Sequence, residues 1–178
     1  KLRAQIMSNE ITCDICIIGA GSGGLSVAAG AAQMGAHVVL IEKGKMGGDC
    51  LNYGCVPSKA LLAAGHAAEN ARRAVRFGIN TGPVSANGHK VFKHVRDVIA
   101  AIEPHDSVER FESFGVNVIL GAGQFVGPET VQVGDQKIVA KKFVIATGSS
   151  AFVPPIEGLD GMRVLTNENI FALDEVPK

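Results

Sequence analysis

The chain has 178 residues, of which 47% are hydrophobic and 19% are charged, and it contains 22 glycines. This length and apolar fraction suit one globular domain with a substantial core. Lysine plus arginine equals aspartate plus glutamate at 17 each, so the chain lacks the basic surplus expected of a nucleic-acid-binding protein.

The first ten residues, KLRAQIMSNE, are polar and contain no apolar centre of the kind that marks a secretory signal. We interpret residues 1–10 as an N-terminal extension outside the fold. No apolar run in the chain approaches the roughly 20 residues that a membrane span requires. We therefore expect a cytoplasmic location and no membrane partner.

A strand–helix–strand unit is predicted next. Residues 11–18 (ITCDICII) are apolar and rich in isoleucine, as in a buried strand. The glycine turn GAGSGG follows at 19–24, and a helix rich in small residues at 25–35. Residues 37–42 (HVVLIE) read as a second buried strand. This order predicts the βαβ unit of a parallel sheet.

The middle of the chain is predicted to be helical. Residues 44–54 read as an irregular glycine-rich loop, and 57–76 as a helix with proline in its first turn. Residues 77–90 contain Gly, Pro and Asn and are predicted to be a loop. A second helical pattern covers 91–114, and Pro104 should kink or split it.

The last third changes to strand periodicity. The sequence Gly134-Asp135 between two such segments suggests a hairpin. The final segment, FVIATGSS, is predicted to be another parallel strand, and the tail at 153–178 to be loosely structured. The fold class is therefore α/β, a Rossmann-like domain with a parallel sheet, inserted helices and a small β-meander. The predicted strands are VNVIL, GQFV, TVQV, KIVA and FVIA.

The glycine turn fits the pattern G-x-G-x-x-G between a predicted strand and a predicted helix. Gly19 permits a tight turn, Gly21 lets a pyrophosphate approach the backbone, and Gly24 allows close packing of helix and strand. The phosphates would lie at the positive end of the helix dipole. Glu42 ends the second strand, where an acid can accept hydrogen bonds from ribose hydroxyls. This pattern predicts an adenine dinucleotide and leaves FAD and NAD open.

Cys50 and Cys55 allow three interpretations. Zinc would need two further ligands, and strand alternation should point Cys13 and Cys16 to opposite faces. A static disulfide is disfavoured in a reducing compartment. A redox pair fits best, because Cys55 lies just before a helix predicted to begin near Pro57, and the dipole of that helix favours a thiolate. Lys59 lies one turn further on, and Cys50, on the flexible loop, should be the freer thiol.

The segment GGDCLNYGCVPSKALL at 47–62 resembles the redox-disulfide motif of the class I pyridine nucleotide-disulfide oxidoreductases. Residues 143–149 (FVIATGS) and 121–125 (GAGQF) resemble further FAD-contacting segments of that family. The resemblance covers residues 11 to about 176. The sequence Pro57-Ser58-Lys59 resembles that of the dihydrolipoamide dehydrogenase and mercuric reductase branches of the family. Asp49, in the sequence GGDC, resembles the mercuric reductase branch.

The resemblance implies that the bound dinucleotide is FAD. It implies that Cys55 is the thiol that faces the flavin and Cys50 the thiol that attacks substrate. Lys59 would help to stabilise the reduced, anionic flavin. The implied cofactor-binding residues are Gly19, Gly21, Gly24, Glu42, Gly48, Gly123, Thr147 and Gly148.

The chain contains one G-x-G-x-x-G, whereas the family has a second one in its NAD(P)-binding domain. We therefore expect residues 11–178 to be the first segment of an FAD-binding domain, with the NAD(P)-binding and dimerisation domains absent. The parent enzyme would be a homodimer that passes electrons from NAD(P)H to a disulfide, metal-ion or similar small-molecule substrate. The segment alone should be inactive and bind FAD weakly or not at all.

The alternative hypothesis is a non-catalytic FAD- or NAD-binding sensor or interaction module, which needs only the glycine turn and Glu42. None of the five histidines is assigned a catalytic role, and no metal site is predicted.

Overall fold

A computed structural model describes residues 9–177 of the chain. Most of the predicted N-terminal extension lies outside these residues. Within them the chain forms two compact units. The first comprises residues 9–48 and 105–148, and the second comprises residues 49–104 and 149–177.

The described residues form six strands and six α-helices, joined by turns and short 3₁₀ segments. In chain order these are β1 (Glu10–Ile18), α1 (Ser22–Gln33), β2 (Val38–Glu42), α2 (Gly48–Asn52), α3 (Cys55–Arg73), α4 (Gly88–Ile102), α5 (Val108–Ser113), β3 (Asn117–Leu120), β4 (Gln124–Gly127), β5 (Thr130–Val133), β6 (Gln136–Ile145) and α6 (Asn167–Ile170).

All six strands belong to the first unit and form one mixed sheet, in the order β3-β2-β1-β6-β5-β4. Strands β3, β2, β1 and β6 run parallel to one another. Strands β4 and β5 extend the sheet by antiparallel pairing from β6. The α/β fold with a parallel sheet and a small meander is confirmed, and the hairpin turn lies at Gly134-Asp135 as predicted.

The strand β6 differs from the sequence-based prediction, which treated KIVA and FVIA as two strands. They form one ten-residue strand. The polar pair Lys141-Lys142 reads as a break, but Lys141 donates a hydrogen bond to Asp14 Oδ1 at 2.7 Å. This bond lowers the pKa of the Asp14 carboxyl. Both lysines remain within the sheet because β6 pairs with β1 at a constant register along its length, and the ion pair with Asp14 bridges the two strands.

Two apolar clusters cover the two faces of the sheet. The strand β2 contributes to both, because its side chains alternate: Val39 and Ile41 join one cluster, and Val38 and Leu40 the other. A strand buried on both faces is typical of a parallel sheet. The second cluster also contains Leu25 and other residues of α1, so the helix covers this face.

Cys13 and Cys16 lie on the same face of the sheet, and the prediction that they point to opposite faces is wrong. Both are buried in the first cluster. The amides of Asp14 and Ile15 both donate to the carbonyl oxygen of His37, at 2.9 and 3.2 Å. The side-chain alternation of β1 therefore shifts by one position at this contact, while its register with β6 stays constant.

The Cys16 thiol should be nearly inert in the folded chain. Burial raises its pKa to about 12, and the thiolate is the reactive form. We expect Cys16 to react with a thiol reagent at pH 7 on the order of 10³-fold more slowly than a free cysteine. Peptide mass spectrometry after timed labelling checks this, with labelling in 6 M guanidinium as the control. Native labelling of Cys16 at the rate of Cys55 would contradict it.

The second unit is built around the helices α3 and α4. The helix α4 is capped at its amino end by Asn87, whose side chain accepts a hydrogen bond from Lys90 N. The predicted break at Pro104 is present, because α4 ends at Ile102 and a 3₁₀ segment, Glu103–Asp106, follows. None of the described helices combines the length and apolar character that a membrane crossing requires.

Two predicted irregular segments contain regular structure. Residues 48–52, part of the predicted loop at 44–54, form α2. In the tail, Thr166 caps the short helix α6 through a reciprocal pair of hydrogen bonds with Asn169. Helices this short give little periodicity, and local hydrogen bonds hold them, so the hydrophobic pattern did not reveal them.

Candidate functional site: a dinucleotide cleft and a pair of thiols

A cleft lies in the first unit where four parallel strands end. Ligands of open α/β sheets bind at this edge, where the strand order reverses. The cleft has a volume of about 260 Å³, and its lining residues are Ile18, Gly19, Ile41, Glu42, Lys43, Gly121, Ala122, Gly123 and Thr147.

Four of the predicted cofactor residues, Gly19, Glu42, Gly123 and Thr147, are thus brought together in the cleft. The predicted residues that do not line it are Gly21, Gly24, Gly48 and Gly148. Lys43 lines the cleft although the sequence did not single it out, and the available signal was its place directly after Glu42. Ala122 lies within the segment 121–125 that resembles an FAD-contacting segment.

Gly19 and Gly24 hold the turn together through close backbone packing. Gly19 has a φ of 106°, and a Cβ there would overlap the carbonyl oxygen of Ala146. A Cβ on Gly24 would overlap the carbonyl oxygen of Gly19. Both positions therefore exclude any side chain, which is the physical reason for the first and last glycines of the pattern.

Gly21 is the N-cap residue of α1, and because it has no side chain it does not cover the amino end of the helix. No side chain caps this end, and no acidic residue lies in the first turn. A Cβ on Gly21 would meet no atom closer than the Cα of Gly48, at 3.9 Å. Gly48 has a φ of 55° and is itself tightly packed, since its Cβ would lie 2.6 Å from the Cα of Gly21. The helix amides and dipole thus remain available to an anion.

The Glu42 carboxylate is already oriented by the backbone. Its Oε2 accepts a hydrogen bond from Ala20 N, and its Oε1 accepts one from Gly44 N, each at 2.6 Å. A carboxylate offers about four acceptor positions, so capacity remains for two ribose hydroxyls. The glycine cradle, the open helix end and this oriented acid together fit the pyrophosphate and ribose of a dinucleotide.

The cysteine pair lies in the second unit, where α2 is followed closely by α3. Cys50 lies in α2, and Cys55 is the first residue of α3. A hydrogen bond with the Cys55 side chain raises the pKa of the Cys50 thiol, and partial burial adds to the effect. The positive charge of Lys59 acts in the opposite direction. The three predicted redox residues are therefore neighbours.

The expectation that Cys50 lies on a flexible loop as the freer thiol is wrong for this chain. Cys50 is part of a helix and half-buried, whereas Cys55 is exposed. The reason is that residues 48–52 complete a helical turn, which the glycines of this segment did not suggest.

A compact turn joins the two cysteine-bearing helices. Tyr53 N donates to the carbonyl oxygen of Asp49 at 2.8 Å, and Ser58 N donates to that of Gly54 at 3.0 Å. A Cβ on Gly54 would lie 2.9 Å from Asp49 Oδ2, closer than real Cβ contacts. Glycine before Cys55 thus permits the close approach of the helices. Two thiols in contact can store two electrons by opening and closing a disulfide.

These features define an α/β protein with a cleft suited to a dinucleotide and a pair of neighbouring thiols. The chain belongs to the pyridine nucleotide-disulphide oxidoreductase family, whose model matches residues 13–178. This confirms the family inferred from the cysteine motif. Enzymes of this family use FAD and NAD(P)H.

Two curated relatives illustrate the similarity. The mercuric reductase of Bacillus cereus is 37% identical over 164 residues, which are 92% of this chain and 26% of that protein. The dihydrolipoyl dehydrogenase of Bacillus subtilis (strain 168) is 35% identical over 179 residues, 93% of this chain and 37% of that protein. The chain thus spans about a quarter to two fifths of the length of these relatives.

A solved structure supports the fold. The HOCl-induced flavoprotein disulfide reductase RclA from Escherichia coli superposes with a TM-score of 0.76. The match covers 94% of this chain and 36% of that one at 24% sequence identity. At this identity the similarity concerns the fold alone.

Proposed function

We propose that this chain is the first segment of the FAD-binding domain of a longer NAD(P)H-dependent disulfide oxidoreductase, and that it carries the enzyme's redox-active cysteines. The observation that carries the proposal is the hydrogen-bonded pair of Cys50 and Cys55 at the start of α3, with Lys59 nearby. A nucleotide-binding module without redox chemistry needs no such pair.

The cleft of the first unit would hold the adenosine and pyrophosphate of FAD. Gly19, Gly21 and Gly24 shape the turn and expose the helix amides to the phosphates. Glu42 accepts hydrogen bonds from the ribose hydroxyls. The further residues proposed to line the FAD site are Gly48, Gly123, Thr147 and Gly148.

Bound FAD would supply the two-electron chemistry that connects a nicotinamide to the dithiol. The chain's own thiols carry the second half of the reaction. The Cys50 thiolate attacks a disulfide substrate and releases one thiol. Cys55 then attacks the sulfur of Cys50, which releases the second thiol and closes the Cys50–Cys55 disulfide. The substrate has gained two electrons and two protons.

The family motif assigns Cys55 to the flavin side and Cys50 to the substrate side. Exposure in this chain alone would instead favour Cys55 as the thiol that meets the substrate. Lys59 would stabilise negative charge on the reduced cofactor. The parent protein is proposed to be a cytoplasmic homodimer that reduces a disulfide, a metal ion or a similar small molecule. This chain alone is expected to lack turnover and to bind FAD weakly.

Thiol counting tests the proposal. After mild oxidation, the unfolded chain should show two free thiols, Cys13 and Cys16, and two more after treatment with dithiothreitol. A Cys50→Ser variant should show no such gain, and a longer protein that extends beyond residue 178 should purify with FAD. Four free thiols after oxidation, with a dinucleotide still bound, would instead support the non-catalytic module.

A further inference from the structure

The turn between the two redox cysteines is tethered to a distant part of the chain. Asn167, in α6, donates a hydrogen bond from Nδ2 to Asp49 Oδ1 at 2.9 Å, across 118 residues of sequence. Asp49 directly precedes Cys50. Both residues belong to the second unit.

The Asp49 side chain lies against the turn that sets the distance between the cysteines. Its Oδ2 approaches Gly54 closely enough that a Cβ there would be 2.9 Å away. Its carbonyl oxygen accepts the hydrogen bond from Tyr53 N that closes α2. Because Asp49 contacts both ends of the turn, any force that holds its carboxylate also holds α2 against the start of α3.

The α6 end of the tether is held by its own hydrogen bonds. Thr166 N donates to Asn169 Oδ1 at 2.8 Å, and Asn169 Nδ2 donates to the carbonyl oxygen of Val164 at 3.0 Å. These bonds build the helix turn without using the Asn167 side chain. Asn167 therefore contacts Asp49 from a segment that its own local hydrogen bonds stabilise.

We propose that Asp49 and Asn167 are positioning residues that hold the Cys50–Cys55 dithiol close to its disulfide geometry and so set its redox equilibrium. This inference rests on the proposed function. Ordering two thiols before they react lowers the entropy lost on disulfide formation, so the tether favours the oxidised form. Without it, the dithiol gains freedom and the disulfide becomes easier to reduce.

The test is equilibration of the chain with glutathione. The two thiols lose two electrons and two protons, which reduce glutathione disulfide to two glutathione thiols. For Asn167→Ala we expect the equilibrium constant of disulfide formation to fall about threefold, which corresponds to about 14 mV. Asn167→Asp should lower it at least as much, because two carboxylates would then face each other.

Two further variants separate positioning from a general loss of structure. An acid in the first turn of a helix is stabilising, so Asn167→Asp should not unfold α6. The double variant Asp49→Asn/Asn167→Asp restores a donor–acceptor pair and should recover the original constant. Glu168→Ala, at an exposed neighbour in the same helix, serves as the matched control and should leave the constant unchanged.

The outcomes are distinguishable from those of the proposed function. If the unsubstituted chain forms no Cys50–Cys55 disulfide at any glutathione ratio, the proposed function itself fails. If Asn167→Ala, Asn167→Asp and the double variant all form the disulfide with the equilibrium constant of the unsubstituted chain, the tether has no influence on it and the inference is overturned.

Discussion

A Gly24→Ala substitution is expected to lower the free energy of unfolding by about 2–3 kcal/mol, the cost of inserting a methyl group into packed surroundings. The added Cβ would overlap the carbonyl oxygen of Gly19, and that backbone atom cannot move aside without opening the turn. In a longer, FAD-containing protein the same change should abolish retention of the cofactor, because the phosphate-binding turn is displaced.

The neighbouring glycine provides a matched control. A Cβ on Gly23 would meet no atom within 4 Å, and Gly23 is exposed in the same helical turn. Gly23→Ala should therefore leave stability unchanged or raise it slightly, since alanine favours the helix. Urea unfolding of both variants measures the difference, and the flavin absorbance of the purified longer protein reports retention. Equal stabilities for the two variants would show that the turn tolerates a side chain at residue 24.

Replacing either Cys50 or Cys55 by serine in the longer protein should reduce disulfide-reductase turnover by about 10³-fold or more, because a serine cannot take part in thiol–disulfide exchange. The two variants should differ in their spectra. Cys55→Ser should abolish the long-wavelength absorbance of the reduced protein, whereas Cys50→Ser should retain it, since the remaining thiolate is the one proposed to lie on the flavin side.

Cys13→Ala serves as the control for this pair, because Cys13 is a buried thiol of the sheet. It should preserve the absorbance and the turnover per bound flavin. The opposite spectral pattern, with the band lost in Cys50→Ser and kept in Cys55→Ser, would exchange the roles of the two thiols. It would then agree with the greater exposure of Cys55 in this chain.

The parts of the fold that sequence patterns predicted depend on local geometry. The glycine turn, the break at Pro104 and the hairpin at Gly134-Asp135 are each enforced by the backbone limits of one or two residues. The place of Glu42 follows from strand length in a βαβ unit. These features need no knowledge of distant contacts, so the sequence reveals them.

Other features escaped prediction because they depend on partners far along the chain. The continuity of β6 depends on its parallel pairing with β1, about 127 residues earlier in the chain. The common orientation of Cys13 and Cys16 accompanies two hydrogen bonds from β1 to the carbonyl oxygen of His37. Neither partner can be identified from the periodicity of the strand itself.

The amino-acid sequence by itself determined the chemical groups of this protein: a G-x-G-x-x-G turn, an acid at the end of the second strand, and two cysteines near the start of a helix. Tertiary structure alone decided that Cys50 is half-buried and that its preceding aspartate is hydrogen-bonded to Asn167. The physical reason is the distance along the chain over which each kind of interaction acts. Backbone conformation is limited by neighbouring residues, whereas burial and side-chain hydrogen bonds depend on which distant segments the fold brings together.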